Sequence, residues 1–562
     1  MRAILKKLFP PNSKRRKGLI KILSALGIYS PRYNPLHNYL VEKSCEIQRV
    51  LPKDINLKNK PLISIVVPVY NTQRKYFDAL LNSVLNQSYE NFELIVADGS
   101  DSKKAIEYFE QIEDYDKRIK RKKIENKGIS ENTNSAIKLS KGDFIALLDH
   151  DDVLHPDALL LMVGAINEFP KGQMFYSDEC KLTEDGEQYF GPHYKPSYSP
   201  DLLSNLNYIT HFTLMKRDIF NKVGWFDKTK DGAQDYDMFL RISSYTNDII
   251  HVPYVLYYWR EAIGSTASAF ENKKSIATAG TKSLEDYYLH KGVKAKVKIR
   301  NKTPGFYEAK ISIPHKKVGI ILNLENELFT NNFIRHIQNK TKSKHNLKWY
   351  GVKNNGLTSS KKEVTLGKFN NIIMKAKEEN EIIVIIDCMA LPNNSSWLDT
   401  MAAFLTQKHI GLITPTIIDY LGSVMYKGSV ETTEGNYPIF KGLKYNQKTS
   451  FGDADWDRNV DTVMEGIVAF ESKLTPNISA DNFTALFSEL NKICETKNLY
   501  KTSLGRCLFR DIFTMPKNFK DSIQTKANFS NNLSQYGKED FETTMHGQLP
   551  VTNKYNLMNE QL

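Results

Sequence analysis

Three stretches of this chain read as buried strands that end in polar side chains, with helix-like stretches between them. PLISIVVPVYNT (61–72) is rich in β-branched residues and bounded by Pro61 and the Pro68–Asn71 turn. Phe77, Leu80, Leu81, Val84 and Leu85 follow at i, i+3, i+4 spacing, which predicts a helix. FELIVADGS (92–100) reads as a second strand, NKGISENTNSAIKLSKGD (126–143) as a loop entering a helix, and FIALLDHDD (144–152) as a third strand. This alternation predicts a parallel α/β sheet. Ligands of such sheets sit at the carboxyl ends of the strands. Tyr70–Asn71, Asp98–Ser100 and Asp149–Asp152 all fall there.

Asp149, Asp151 and Asp152 would repel one another at a strand end. A hard divalent cation with oxygen ligands, bridging a diphosphate, would relieve that repulsion. An Asp-rich turn leading into a helix near Pro156 is the alternative.

The 562 residues are 41% hydrophobic, enough for several cores, so the length predicts three to four domains or two large ones. The net charge of +13 is mostly local. Residues 1–41 hold Arg2, Lys6, Lys7, Lys14, Arg15, Arg16, Lys17, Lys21 and Arg32 and no acid. The rest is nearly balanced, which argues against a nucleic-acid protein. GLIKILSALGIY (18–29) has one apolar helical face beside KRRK, a pattern of interfacial anchors. A solvated basic tail before a packed helix, or a signal peptide, are the other readings. Cys45, Cys180, Cys388, Cys494 and Cys507 form no CxxC pair, which fits a reducing cytosol. No apolar run is long enough to span a membrane.

An ordered series of motifs extends this reading. VVPVYN, Asp98, NKGIS…NSA, LLDHDD, YSDE (176–179), KPSYSPDLLSNLNYITH (195–211), VGWFD, GAQDYD (232–237) and LYYWREAIGSTAS (256–268) occur in that order. Together, over about residues 60–270, they resemble the GT-A-fold, family 2 glycosyltransferases of bacterial O-antigen, capsule and cell-wall polysaccharide assembly, of rhamnosyltransferase-like type. The resemblance implies that Pro68, Tyr70, Asn71 and Asp98 frame the base and ribose of a nucleotide-sugar donor. Asn126, Gly128 and Asn134 would border the nucleotide. Asp149 and Asp151 resemble a DxD motif holding Mn²⁺ or Mg²⁺ on the donor diphosphate. Asp235 resembles the general base for the acceptor hydroxyl, and a single base implies inversion. Arg260 and Gly264–Thr266 would face the diphosphate. Asp178, Glu179, Asn207 and His211, with His193 and Tyr208 near them, fall where related enzymes shape the acceptor pocket. Where the family often reads Tyr-His-Trp-Arg, this chain has Tyr257-Tyr258-Trp259-Arg260, so a third protein ligand to the metal is not expected from Tyr258. His251 is not expected near the metal either.

A fainter echo follows. KKVGIILNLEN (316–326), EIIVIID (381–387), WLDTMAAF (397–404) and HIGLITPTIID (409–419) resemble a second, degenerate GT-A-like unit, with Asp481 near the place of the Gln-Asp-Tyr region. The expected organisation is an arm and lead-in over 1–59, a catalytic α/β domain over 60–300, a degenerate α/β domain over 315–520 and a polar tail over 521–562. The reading is a metal-dependent inverting glycosyltransferase, cytoplasmic and peripheral on the inner face of the membrane. Its partners would be a nucleoside-diphosphate sugar, a lipid-linked or growing polysaccharide and other assembly enzymes, with no nucleic acid. A non-catalytic scaffold or acceptor-binding subunit and a nucleotidyltransferase remain the alternatives.

Overall fold

The computed structural model describes residues 55, 57–261, 272–300, 303, 305–324, 331–353, 364–432, 435–446, 454–463, 465–476 and 482–512. The basic arm, Gly264–Thr266, Asp481 and the polar tail lie outside the described residues.

The first unit runs β1 (Ile63–Val69), α1 (Arg74–Leu85), β2 (Phe92–Asp98), α2 (Lys103–Phe109), β3 (Ile119–Lys123), α3 (Ile129–Leu139), β4 (Phe144–Leu147) and β5 (Val153–Leu154). It continues through α4 (Ala158–Glu168), β6 (Met174–Leu182), β7 (Tyr189–His193), α5 (Pro200–Leu203), β8 (Thr213–Lys216), α6 (Ile219–Val223), α7 (Gln234–Tyr245) and β9 (Ile249–Arg260). Every residue of β1 and β2 is buried, as continuous apolar runs require when helices cover both faces. β3-β2-β1-β4 are parallel. β8 then inserts antiparallel between β4 and β6, so the sheet is mixed from that point. The insertion brings the segment before β8 beside the segment after β4, and the candidate site forms where they meet.

α8 (Asn272–His290) and the hairpin β10 (Ala295–Ile299) and β11 (Tyr307–Ile311) lead into a second unit. That unit holds β12 (Lys317–Asn323), α9 (Asn331–Lys340), β13 (Asn346–Val352), β14 (Val364–Gly367), α10 (Phe369–Glu379), β15 (Ile382–Ile386), β16 (Ala390–Pro392) and α11 (Trp397–Phe404). β17 (Ile410–Ile418), β18 (Val424–Tyr426), β19 (Ser429–Thr432), β20 (Gly435–Pro438), β21 (Arg458–Val460), β22 (Ile467–Glu471), α12 (Phe483–Thr496) and β23 (Tyr500–Asp511) complete it.

The second sheet repeats the first. The first has the order β3-β2-β1-β4-β8-β6-β9-β5, with β7 beside β6. The second has β14-β13-β12-β15-β22-β17-β23-β16, with β18 beside β17. Each corresponding pairing keeps its direction, including the antiparallel insertion of β22 between β15 and β17. Five residues, Leu148–Asp152, link β4 to β5, whereas only Asp387, Cys388 and Met389 link β15 to β16. The shorter link leaves one acid where the first unit has three, as a degenerate copy should.

A buried lysine follows the hairpin in both units. Lys195 Nζ lies 3.1 Å from the Glu179 carboxylate, while Lys427 Nζ donates to the Thr416 hydroxyl at 3.2 Å. Burial pushes the Lys427 amine down to about 7, helped by Arg458 and opposed by Asp457 and Asp455. One apolar cluster joins the units, from Val66 and Ile137 through Tyr236, Tyr288 and Tyr307 to Ile320 and Trp397.

Candidate functional site

The pocket at the carboxyl edge of β1 and β4 is lined by Pro68, Leu148 and Asp149 from the strand ends and by Ile129 and Thr133 from α3. Thr210 and His211 close it from the segment before β8, and Gln234 and Asp235 from the first turn of α7. Residues 68, 149, 211 and 235, far apart in sequence, are thus brought to one site.

The charges there are coupled. His211 Nε2 is 3.7 Å from Asp149 Oδ2, and its Nδ1 is 3.4 Å from Glu179 Oε2. The second contact is an ion pair rather than a formed hydrogen bond. The ring stacks on Tyr257, with centroids 4.7 Å apart and planes at 13°. Burial would lower the His211 pKa, but Glu179, Asp149 and Asp152 hold it up at about 9, so the imidazole is a cation at neutral pH. Lys195 braces the same place, donating to the carbonyls of Ile209 and His211. Lys195 and two histidines hold the Glu179 carboxyl well below its usual range against a burial effect that opposes them.

Asp235 has the opposite environment. Burial and the Asp149 charge push its pKa up to about 7, with His211 opposing. A carboxylate at the N-terminal turn of a helix would ordinarily be favoured as the anion. Desolvation wins here, and a group that exchanges its proton near neutrality suits general-base work.

The acids after β4 divide the labour. The Asp149 side chain is 55% exposed and faces the pocket, while Asp151 is 19% exposed. Asp152 is buried, accepting from the Tyr257 hydroxyl and, at 2.7 Å, from the Arg260 backbone N–H. Asp149 and Asp151 are the two acids with access to a cation. Burial, then the Asp149 charge, raises the Asp151 pKa, although His150 opposes it. A divalent cation would relieve that repulsion, so the residues fit one, with the remaining oxygen ligands drawn from a diphosphate or water. Among the described residues no set of three or more His, Cys, Asp or Glu forms a metal cage on its own.

Several expected residues turn inward instead. Asp98 is fully buried, with Oδ2 taken by Arg121 at 2.6 Å and Oδ1 by the Ser100 N–H at 2.9 Å. It therefore shapes the loop after β2. The accessible acid there is Asp101, which accepts from the Tyr70 hydroxyl at 2.8 Å and from Asn71 Nδ2 at 2.6 Å. Asn134 is buried and exchanges two hydrogen bonds with the Phe226 backbone, so it is a packing residue and not a border of the nucleotide. Asn126 Oδ1 accepts from Asn132 and Gly128 and fixes the turn into α3. Gly128 has φ +101°, and a Cβ there would meet Asp231 Oδ2 at 2.4 Å, so only glycine lets Asp231 reach the Ser130 N–H.

Arg260 departs most from expectation. It is buried and spends its guanidinium on the carbonyls of Asp151 (2.8 Å), Glu184 (3.1 Å) and Thr183 (3.4 Å). It braces the acidic turn rather than facing a diphosphate. Asp178 is closed off by His251 Nε2 at 2.8 Å and the Lys195 N–H at 2.7 Å, which removes it from an acceptor surface. His251 stacks on Tyr176 and serves Asp178, away from Asp149. Asn207 is partly exposed, with its side-chain oxygen buried. Tyr208 is buried and accepts from the Ser199 N–H at 2.8 Å. Tyr258 packs with Cys180, Leu182 and Tyr194, while its neighbour Tyr257 faces the acids.

Tyr257, Lys195 and Asp101 are not among the residues expected from sequence. Asp101 had a signal, since it follows the strand-end Asp98 by three residues. In a Tyr-Tyr-Trp-Arg run the alternation of faces cannot be read, and a lone lysine in KPSYS carries no pattern.

Residues 64–224 match the model of the glycosyl transferase family 2. The chain is 31% identical over 404 residues to the uncharacterized protein y4gI of Sinorhizobium fredii, covering 66% of this chain and 44% of that one. It is 25% identical over 460 residues to the O-antigen biosynthesis protein RfbC of Myxococcus xanthus, covering 78% and 35%. It is 28% identical over 187 residues to a chondroitin synthase of Escherichia coli, covering 33% and 27%. The chain thus spans less than half the length of each of these relatives. A mixed α/β sheet, a strand-edge pocket and the family match agree, and residues 64–224 carry a domain of the glycosyl transferase family 2.

Proposed function

We propose that the first unit transfers a sugar from a nucleoside-diphosphate donor to a hydroxyl of a lipid-linked or growing surface polysaccharide, with inversion. The observation that carries this reading is the convergence of Asp149, His211 and Asp235 on one pocket, with the Asp235 carboxyl held near 7. Asp235 takes the proton as the acceptor oxygen bonds to the anomeric carbon. The bond from that carbon to the diphosphate oxygen breaks, and the nucleoside diphosphate leaves with the electron pair. Attack opposite the leaving group inverts the centre.

Asp149 and Asp151 would hold Mn²⁺ or Mg²⁺, which when bound supplies Lewis-acid neutralisation of the diphosphate. The His211 cation adds positive charge beside Asp149. Tyr70, Asn71 and Asp101 form an exposed polar cluster at the end of β1, suited to the base and ribose. The acceptor class follows the O-antigen biosynthesis relative. The basic arm over 1–41 would hold the protein at the inner face of the membrane, beside other assembly enzymes.

The test is release of nucleoside diphosphate from a panel of donor sugars with Mn²⁺ or Mg²⁺, for the wild type and Asp235→Asn. Donor-dependent release that the variant loses supports the reading. Equal release by both removes Asp235 as the base.

A further inference from the structure

Asp201, on α5 of the first unit, is 1% exposed, and among the described residues the donors to its carboxylate come from the second unit. His409 Nε2 lies 3.0 Å from Oδ1, while Asn459 Nδ2 and Thr502 Oγ1 donate to Oδ2 at 2.7 and 2.6 Å. The Asn459 side-chain oxygen in turn accepts from the Ser199 hydroxyl at 2.8 Å and the Asp201 N–H at 3.2 Å. A buried carboxylate without these donors would be an uncompensated charge, which favours keeping this contact formed.

The anchored turn reaches the pocket by two routes. The carbonyl of Leu203, two residues on, accepts from the Tyr236 hydroxyl at 2.7 Å, and Tyr236 adjoins Asp235. The Tyr236 ring stacks on Tyr307 of the connecting hairpin, with centroids 5.3 Å apart and planes at 8°. Tyr307 is itself tied to the Asn205 carbonyl through its N–H at 2.7 Å. A Cβ on Gly280 of α8 would lie 1.8 Å from the Tyr307 hydroxyl, so that glycine leaves the ring its place. The second route is the chain itself, which runs from Asp201 to Thr210 and His211 in the pocket wall.

We propose that the second unit is a positioning element for the first, acting through Asp201. The Thr502–Asn459–His409 cradle fixes α5, and α5 sets Tyr236, and with it Asp235, and also the His211 segment. This rests on the reading of Asp235 as the base, and it gives the stripped second sheet a task in the reaction.

The experiment compares Thr502→Val, which loses the hydroxyl at nearly constant shape, with Thr502→Ser, which keeps it. In the full chain, Thr502→Val should lower kcat at least about fivefold and leave the donor Kd within about twofold, because misplacing a reacting group costs rate rather than binding. Thr502→Ser should restore kcat. Hydrogen–deuterium exchange should speed up in both 199–211 and 234–238 for Thr502→Val only. If Thr502→Val does not fold, His409→Phe removes another donor to the same carboxylate and His409→Gln is its conservative partner. Equal kcat for the Val and Ser variants, or faster exchange in 199–211 without any in 234–238, would overturn the proposal. Wild-type protein that turns over no donor would sink the glycosyltransferase reading alone, since the exchange pattern still decides the coupling.

Discussion

Arg260 and Arg510 occupy the same place in the two sheets. Arg260 pairs with Leu182 across β6 and β9 and donates to the carbonyls of Thr183 and Glu184 in the turn after β6. Arg510 pairs with Ile418 across β17 and β23 and donates to the carbonyls of Asp419 and Tyr420 in the turn after β17. An arginine kept where two of the three strand-end acids are gone is there for the hairpin. Arg260→Ala should lower stability by about 1–3 kcal/mol in denaturant unfolding, the cost of leaving buried carbonyls without a charged donor, and Arg510→Ala by less, because solvent reaches the Tyr420 carbonyl. Arg510→Ala should leave donor binding unchanged.

The Asp235 carboxyl must be ionised to take a proton. With its pKa at about 7, kcat/KM should fall roughly tenfold per pH unit below that value. Asp235→Asn should lower kcat by at least about 10²-fold. A pH–rate profile flat between 5 and 8 would rule out this role.

His211 holds the Asp235 pKa down against burial and Asp149. His211→Gln removes that positive charge, so the Asp235 pKa should rise. The acid limb of the kcat/KM profile should then move to higher pH, a direction opposite to any change that only lets water into the pocket.

Donor binding should depend on divalent cation through Asp149 and Asp151. Calorimetric titration of nucleoside diphosphate with and without Mn²⁺ should show metal-enhanced affinity in the wild type and none in Asp151→Asn. Asp152→Asn should act through folding, because that carboxylate accepts from Tyr257 and the Arg260 N–H inside the protein.

Deleting residues 2–32 removes all nine basic side chains of the arm. At roughly 1 kcal/mol per charge near an anionic leaflet, the truncated protein should leave the membrane fraction at physiological salt. Unchanged sedimentation with membranes would end the electrostatic-anchor reading.

Strand ends were the most readable part of this chain. Continuous apolar runs closed by Asn71, Asp98 and Asp149 are a local signal, and the sheet put all three at one edge. Asp235 was readable because its motif is local too. What could not be read was which polar residues turn inward. Asp98 and Asp101 lie three residues apart, and only Arg121, from another strand, decides that Asp98 is the buried one. Arg260 looked like an anion binder because a sequence does not reveal carbonyls in a distant turn. Asp201 carried no pattern at all, since its partners lie more than two hundred residues away.

The apolar layer running from Val66 to Trp397 gives the two sheets a common interior. Cutting the chain between them would uncover that interior on both pieces. The chain should therefore melt in one calorimetric transition rather than two, with the duplicated sheet as half of a single cooperative body.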